Sequence, residues 1–167
     1  KECGVLGTIA YVYGGQTFES VNTTPESYEL QRMFYDMKEN YGVKTCSMEV
    51  SSHSLALSRS DDISFDVSIF TNLTPDHMDF HADFEDYYGA KKKLFYQTKG
   101  ACIINIDDEY GLRLFGELKA DGRDAKSYAV VLGESDIAGR TASFIIRINV
   151  TGVFGELNIA GRNKTEY

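Results

Sequence analysis

The sequence predicts an α/β fold: a mostly parallel sheet with helices on both faces, followed by a small C-terminal antiparallel β portion. Short apolar runs of strand length alternate with segments whose apolar residues recur every three or four positions, as they do in helices. The runs are apolar throughout, which is typical of strands buried on both faces of a parallel sheet. A length of 167 residues suits a single domain over 1–167, with an α/β core over 1–120 and a β subregion over 127–160.

The first part of the chain predicts a long helix between two strands. Thr24 and Pro25 mark the helix start, since threonine is a good N-cap residue and proline suits the first helical position. Gly42 stops the helix, and Gly14-Gly15 marks a loop after the first strand. The predicted elements are a strand over 5–13, a helix from Pro25 to about Tyr41 and a strand over 44–50.

The rest of the chain continues the alternation as far as about residue 120. Asp107 and Asp108 open the last helix of this part, because acidic residues near a helix N-terminus interact favourably with the helix dipole. In the tail, Thr151-Gly152 predicts the turn of a hairpin. The predicted elements are a short helix or turn over 52–59, strands over 65–72 and 101–106, helices over 83–96 and 107–118, and tail strands over 128–132, 143–150 and 153–159.

The composition argues against several classes of function. A formal net charge of −8 disfavours binding to nucleic acid or to an anionic membrane surface. No apolar run approaches the roughly 20 residues that a membrane-spanning helix needs. The three cysteines, Cys3, Cys46 and Cys102, lie in or beside apolar runs and are expected to be buried free thiols in a reducing compartment. A soluble cytoplasmic protein is therefore expected.

Glu49 is the first candidate for a functional side chain, because it ends an apolar strand. A carboxylate there is either hydrogen-bonded at the strand end or bound to a cation, since an unpaired buried charge is costly. Magnesium is a suitable cation, because it prefers oxygen ligands. From the residues alone both interpretations stay open, and the nearby His53 is interpreted as a structural histidine.

His77 and His81 offer a second, different chemistry. They lie four residues apart, so on a helix their imidazoles would share one face and could bind zinc. A zinc hydrolase using this pair would need a third protein ligand, and the pair lacks the intervening glutamate that acts as the base in helical zinc proteases. Lys91 stands in a run of lysines that would ordinarily form a solvated charged face.

Several of these segments together resemble the central domain of the Mur ligases. The resemblance covers about residues 4–110 and depends on motifs that occur in the family's order and spacing. The motifs are Asn22-Thr23-Thr24-Pro25-Glu26-Ser27, MEVSSHSLALSR over 48–59, FDVSIFTNLTPDHMDF over 65–80, Ala90-Lys91 and Asn105-Ile106-Asp107-Asp108. The tail beyond about Ser127 resembles the family only loosely.

The resemblance implies a site for ATP, magnesium and UDP-N-acetylmuramoyl-dipeptide. Glu49 and His77 match the positions that hold magnesium ions, and Lys91 matches a lysine that the family carbamylates. These three residues are the implied catalytic and metal-binding group. The implied substrate-binding residues are Asn22, Thr23, Thr24, Ser51, His53 and Arg59, and the implied nucleotide-binding residues are Asn105 and Asp108. Leu57 stands where some relatives carry glutamine, so one polar substrate contact is expected to be absent.

The implied function is ATP-dependent formation of an amide bond in peptidoglycan synthesis. The third amino acid of the stem peptide would be added to UDP-N-acetylmuramoyl-L-Ala-D-Glu through an acyl phosphate, a reaction in which the protein mainly positions reactants and neutralises charge. A folylpolyglutamate synthetase-like ligase, a metal-dependent hydrolase using His77 and His81, and a binding module without turnover stay open as alternatives.

One departure from the family limits the expected activity. The family's P-loop, a glycine-rich loop ending in Gly-Lys-Thr, does not occur at its expected place before Val5. Lys164-Thr165 follows a predicted hairpin and has the wrong glycine spacing. The chain is therefore interpreted as a piece of a ligase whose N-terminal and C-terminal domains lie outside it, and the isolated chain is expected to be inactive.

Overall fold

The computed structural model describes residues 3–74 and 79–129. The helices and strands in this part of the chain are β1 Cys3–Leu6, β2 Ala10–Tyr13, β3 Gln16–Glu19, α1 Ser27–Glu39, β4 Thr45–Met48, α2 Ser52–Ala56, β5 Phe65–Phe70, α3 Phe84–Gln97, β6 Thr98–Asn105, α4 Glu109–Ala120 and β7 Ala125–Tyr128. Contacts group these elements into two compact units. His77 and the tail strands predicted over 143–150 and 153–159 lie outside the described residues.

The first unit contains β1 to β4 and α1 to α3. Its sheet has the strand order β3-β2-β1-β4, in which β1 and β4 are parallel and the other neighbouring pairs are antiparallel. The spacing in sequence predicts an apolar face of α1 made of Leu30, Met33, Phe34, Met37 and Tyr41. Leu30, Met33 and Met37 are buried against this sheet and Phe34 is partly buried, whereas Tyr41 lies beyond the end of the helix and is exposed. Burying such a face is the main source of stability for a surface helix. The core cluster is Leu6, Tyr11, Tyr13, Leu30, Met33, Met37 and Val43.

The predicted single strand over 5–13 is wrong. The chain leaves β1 after Leu6 and returns as β2, which pairs with β1 antiparallel. A second hairpin follows at Gly14-Gly15, where both residues have positive φ, 58° and 80°. Two-residue hairpin turns of this type need that conformation, which glycine adopts without strain. The Gly-Gly pair therefore indicates a hairpin. The strand that follows it, β3, was missed because all four of its residues are exposed.

The predicted start of α1 is also wrong. The N-cap residue is Glu26, and its side chain makes no capping hydrogen bond. Thr24 is instead buried, where its hydroxyl donates to the carbonyl of Glu49 and accepts from the N–H of Ser51. Buried backbone groups need hydrogen-bond partners. The Thr24 hydroxyl therefore bonds to the backbone of Glu49 and Ser51 instead of capping α1, although threonine by itself favours the N-cap position.

The second unit contains β5, β6, β7 and α4. Its sheet is parallel throughout, with the order β5-β6-β7, which confirms the predicted parallel sheet for this part of the chain. Gly111, Leu114 and Leu118 of α4 are buried, and the helix contacts β6 and β7. Two details differ from prediction: β6 begins at Thr98 rather than at residue 101, and a strand, β7, begins before Tyr128. Of the strand predicted over 128–132, residues 130–132 lie outside the described residues.

Two predictions about burial need correction. Val67 and Ile69 of β5 are exposed, although the run over 65–72 was expected to be buried on both faces. Cys3 is exposed, whereas Cys46 is partly buried and Cys102 is buried; all three thiols are free, as predicted. Burial, with a smaller contribution from the nearby Cys3 thiol, raises the pKa of Cys46 to about 11. Cys46 is therefore a poor nucleophile at neutral pH, because the thiolate is the reactive form.

Ser60 provides a test of this packing, because its side chain is fully buried and its Oγ has no hydrogen-bond partner among the described residues. We expect Ser60→Ala to leave the free energy of unfolding unchanged or to raise it by up to about 1 kcal/mol, since it removes an unsatisfied polar group. Ser54→Ala is the matched control. Ser54 is equally buried but donates a hydrogen bond of 2.6 Å to the carbonyl of Ser51, so its loss should cost about 1 kcal/mol.

Urea unfolding of both variants checks this prediction. If Ser60→Ala destabilised the chain as much as Ser54→Ala, the Ser60 hydroxyl would have a partner that the structure does not show.

Candidate functional site

Glu49 follows β4 and has an exposed carboxylate. Its Oε2 accepts hydrogen bonds from the backbone N–H and the hydroxyl of Thr8, at 3.0 Å and 2.6 Å. Gly7 leaves room for this contact, because a Cβ at that position would lie 3.1 Å from the Glu49 carboxyl carbon. The carboxylate is thus held by hydrogen bonds at the strand end, an arrangement that also leaves it available to a ligand in solvent.

Thr8 is a site residue that the sequence analysis missed. It lies between β1 and β2, and its hydroxyl contacts that of Thr23 at 2.9 Å. This contact joins Glu49 to one of the predicted substrate residues. The available signal was its position two residues after the apolar strand β1, which was hidden because β1 and β2 were interpreted as one strand.

Thr24, Ser51 and Arg59 gather at the same strand end. The Thr24 hydroxyl donates to the Glu49 carbonyl at 2.9 Å and accepts from the Ser51 N–H at 3.0 Å. Arg59 donates from Nη1 to the Thr24 carbonyl at 3.3 Å, and its Nη2 lies 2.6 Å from Glu26. The buried Arg59 Nε has no hydrogen-bond partner among the described residues. Four predicted site residues are therefore in direct contact, and one of them keeps an unused donor.

The remaining predicted residues of this unit surround that group. Ser51 caps α2, since its hydroxyl accepts from the Ser54 N–H at 3.1 Å. The ring of His53 packs on Phe80 with centroids 4.0 Å apart. Asn22 is held by Tyr11, whose hydroxyl donates to the Asn22 carbonyl and accepts from its N–H. Leu57, where some relatives are expected to carry glutamine, is exposed.

His81 is buried and uses both of its ring nitrogens. Nδ1 lies 3.0 Å from an Asp86 carboxylate oxygen, and Nε2 lies 2.9 Å from the Ser52 hydroxyl. Hydrogen bonds from His81 and from the Ala82 N–H lower the pKa of Asp86. No nitrogen of His81 is left for a metal ion, which argues against the zinc hydrolase alternative. Within 3–74 and 79–129 no cluster of three or more potential metal ligands occurs, and His77 lies outside these residues.

Lys91 lies on α3, and its ammonium group stands over the ring of Tyr87 at 5.0 Å from the centroid. His81 stacks on the same ring, with centroids 5.0 Å apart. Such a cation–π contact is an attractive interaction for a charged ammonium group. Lys91 is therefore connected to His81 through Tyr87.

The predicted nucleotide residues lie in the second unit, at the ends of β5 and β6. Asn105 donates from Nδ2 to the Thr71 carbonyl at 2.8 Å and accepts from the Asp107 N–H at 3.1 Å. Asp108 caps α4 by accepting from the Gly111 N–H, and its other oxygen accepts from the Leu73 N–H, both at 2.9 Å. The helix predicted over 107–118 is present but begins two residues later, at Glu109, with Asp108 as its N-cap residue. Both side chains bond to backbone groups of the segment that follows β5.

Comparison with known proteins gives a consistent result. The family described as Mur ligase middle domain matches residues 1–158. The chain is similar to the UDP-N-acetylmuramoyl-L-alanyl-D-glutamate--2,6-diaminopimelate ligase of Clostridioides difficile, with 51% identity over 78% of this chain and 27% of the relative. The ligase of the same name from Alkaliphilus oremlandii is 43% identical over 98% of this chain and 32% of the relative.

A solved structure of a ligase with this name matches with a TM-score of 0.64 and 24% identity, covering 80% of this chain and 27% of that one. The chain thus spans about a third or less of the relatives it matches. Within the described residues, no helix is both long and apolar enough to span a bilayer.

Proposed function

The chain belongs to the Mur ligase family, as its middle domain, and on that premise we propose that it supplies part of the active site of an ATP-dependent amide ligase. The ligase adds the third amino acid of the peptidoglycan stem peptide to UDP-N-acetylmuramoyl-L-Ala-D-Glu in the cytoplasm. The names of the relatives support this substrate, and they favour diaminopimelate as the added amino acid.

The observation that carries the proposal is the convergence of Thr23, Thr24, Ser51 and Arg59 around the strand end at Glu49. Hydroxyl groups and a guanidinium group are suited to the carboxylate and phosphate oxygens of a nucleotide-sugar peptide. The unused Nε donor of Arg59 supports a ligand at this place, because buried donors are almost always satisfied.

Chemically, the proposed site must bring a substrate carboxylate to the γ-phosphate of ATP. The carboxylate oxygen attacks the phosphorus, ADP leaves, and an acyl phosphate forms. The amine of the incoming amino acid then attacks the acyl carbon, and inorganic phosphate leaves. In such a reaction most of the acceleration comes from positioning and from neutralising charge. Thr24, Ser51 and Arg59 would orient the substrate, and Asn105 and Asp108 would contact the nucleotide.

Magnesium would neutralise the phosphate charge, and Glu49, His77 and Lys91 are the residues proposed to hold it. An exposed carboxylate on Glu49 suits a hard cation. An unmodified Lys91 cannot bind magnesium, because an ammonium group has no acceptor atom. Carbamylation by carbon dioxide would convert it to an anionic oxygen ligand, and we include that modification in the proposal.

A chimera tests the proposed function. The segment of the C. difficile ligase that aligns with this chain is replaced by the corresponding residues of this chain, and phosphate release is measured with magnesium ATP, the muramoyl dipeptide and diaminopimelate. We expect turnover within about tenfold of the parent ligase, a difference of about 1.4 kcal/mol in the barrier. The isolated chain should release no phosphate, because its 167 residues contain no Gly-Lys-Thr loop.

A folded chimera without turnover would contradict the proposal, and so would robust turnover by the isolated chain. Stoichiometric zinc in the purified chain would favour the hydrolase alternative instead.

A further inference from the structure

His81, Ser52 and Asp86 form a hydrogen-bonded triad that the proposed reaction does not use. The donor and acceptor pattern resembles that of a serine hydrolase, in which a histidine lies between a serine and an acid. The exposures are reversed, however. Ser52 is only 2% exposed, whereas the side chain of Asp86 is 56% exposed. A substrate carbonyl could not reach the Ser52 hydroxyl, so this triad does not have the access that a nucleophile needs.

What the triad does is join two helix starts. Ser52 is the first residue of α2, and Asp86 lies in the first turn of α3. His81 lies outside both helices and bridges them with side-chain hydrogen bonds of 2.9 Å and 3.0 Å. Buried polar groups that are fully satisfied in this way fix local structure, since breaking one bond leaves its partner unsatisfied.

The two helix starts carry different parts of the proposed site. Ser52 lies between Ser51 and His53, which are proposed substrate residues. On the other side, His81 stacks on Tyr87, whose ring also contacts the ammonium group of Lys91. His81 is thus linked to the proposed substrate residues Ser51 and His53 through its hydrogen bond to Ser52. It is linked to Lys91 through the ring of Tyr87, which contacts both side chains.

We propose that His81 is a positioning residue that fixes the substrate-binding start of α2 relative to Lys91 on α3. The inference rests on the proposed function for its meaning, but its structural part stands on the contacts alone. The hydrogen bonds from His81 and from the Ala82 N–H lower the pKa of Asp86, which suits this carboxylate to accept from Nδ1 of His81. Nε2 lies 2.9 Å from the Ser52 hydroxyl, so the imidazole bridges the two side chains.

The first measurement uses the full chain and ¹⁵N spectra of its histidines. We expect Nδ1 of His81 to carry a proton, because it lies 3.0 Å from the Asp86 carboxylate oxygen. In His81→Asn the shorter side chain cannot reach Ser52, and hydrogen exchange of the Ser54 and Leu55 amides should accelerate about tenfold or more, as expected for the loss of a buried hydrogen bond. Ser60→Ala, a change at another buried serine outside the triad, should not accelerate that exchange.

The second measurement separates positioning from general stability. UDP-N-acetylmuramoyl-L-Ala-D-Glu is titrated onto the full chain, and amide shifts at Ser51 and His53 report binding even when it is weak. We expect His81→Asn to reduce the affinity at least fivefold and His81→Gln to restore most of it, because the glutamine amide can reach the place of Nε2. Adding Ser52→Ala to His81→Asn should cost little more, since the two changes break the same bond.

The outcomes are separable. Unchanged amide exchange in His81→Asn would overturn the positioning role, as would an esterase activity that depends on Ser52. Faster exchange with equal affinities for the variants and the parent chain would also overturn it, because His81 would then only stabilise the fold. If the isolated chain binds no muramoyl dipeptide, the affinities are compared in the chimera, whose turnover decides the proposed function, and the exchange result decides separately whether His81 fixes the start of α2.

Discussion

Gly111→Ala should strongly destabilise the second unit and disturb the proposed nucleotide site. Gly111 lies in the first turn of α4, where a Cβ would overlap the Asn105 carbonyl oxygen and come within 3.1 Å of the Phe70 ring. The Asn105 carbonyl belongs to the backbone and cannot move aside as a flexible side chain can, so α4 would have to shift away from the end of β6. We expect a loss of about 2–3 kcal/mol in the free energy of unfolding, the upper range for overpacked sites.

Gly116→Ala is the control in the same helix. Gly116 is exposed, and a Cβ there would meet nothing within 4 Å. Alanine is favoured over glycine inside helices, so this variant should gain about 0.5–1 kcal/mol. Urea unfolding gives both values. Equal effects of the two variants would show that α4 does not pack on the strand end as described.

Lys91→Ala should abolish turnover by the active chimera. Without the lysine there is no amine to carbamylate, and one proposed oxygen ligand for magnesium is lost. Removing a single group that stabilises the charge of a transition state commonly lowers kcat by about 100-fold or more, and we expect at least that. The measurement is phosphate release at saturating ATP and muramoyl dipeptide.

Lys92→Ala is its neighbour control. Lys92 stands over the ring of Tyr96 rather than Tyr87, and the variant removes the same charge one position along α3. It should keep turnover within a few-fold of the chimera. Similar losses in both variants would mean that α3 requires positive charge in general, and the assigned role of Lys91 would be wrong.

Much of the fold could be predicted because its signals are local. The apolar spacing of α1, the acidic start of α4 and the apolar run of β5 each predicted the right type of element. The errors arose where a distant contact decides. Thr24 is a good N-cap residue by itself, but Glu49 and Ser51, more than twenty positions away, offer it buried partners.

The candidate site was predicted in part for the same reason. Thr23, Thr24, Ser51, Arg59 and Glu49 were found through motif resemblance, and the structure brings them together. Thr8, Ser52 and Asp86 were missed, because each is an ordinary polar residue whose importance depends on a partner remote in sequence. His81 was noticed for a different chemistry, since spacing suggests zinc but cannot show which atoms its nitrogens meet.

The parallel pairing of β1 with β4 has a consequence for the order in which the chain folds. The hairpins β1-β2 and β2-β3 close over short loops, whereas the pairing of Leu6 with Met48 closes a long loop that contains all of α1. Closing a long loop costs more entropy and slows assembly, so β4 is expected to dock after the hairpins have formed. Only that late step brings Glu49 to Thr8, so a nascent chain that ends before Glu49 lacks the hydrogen bonds between them.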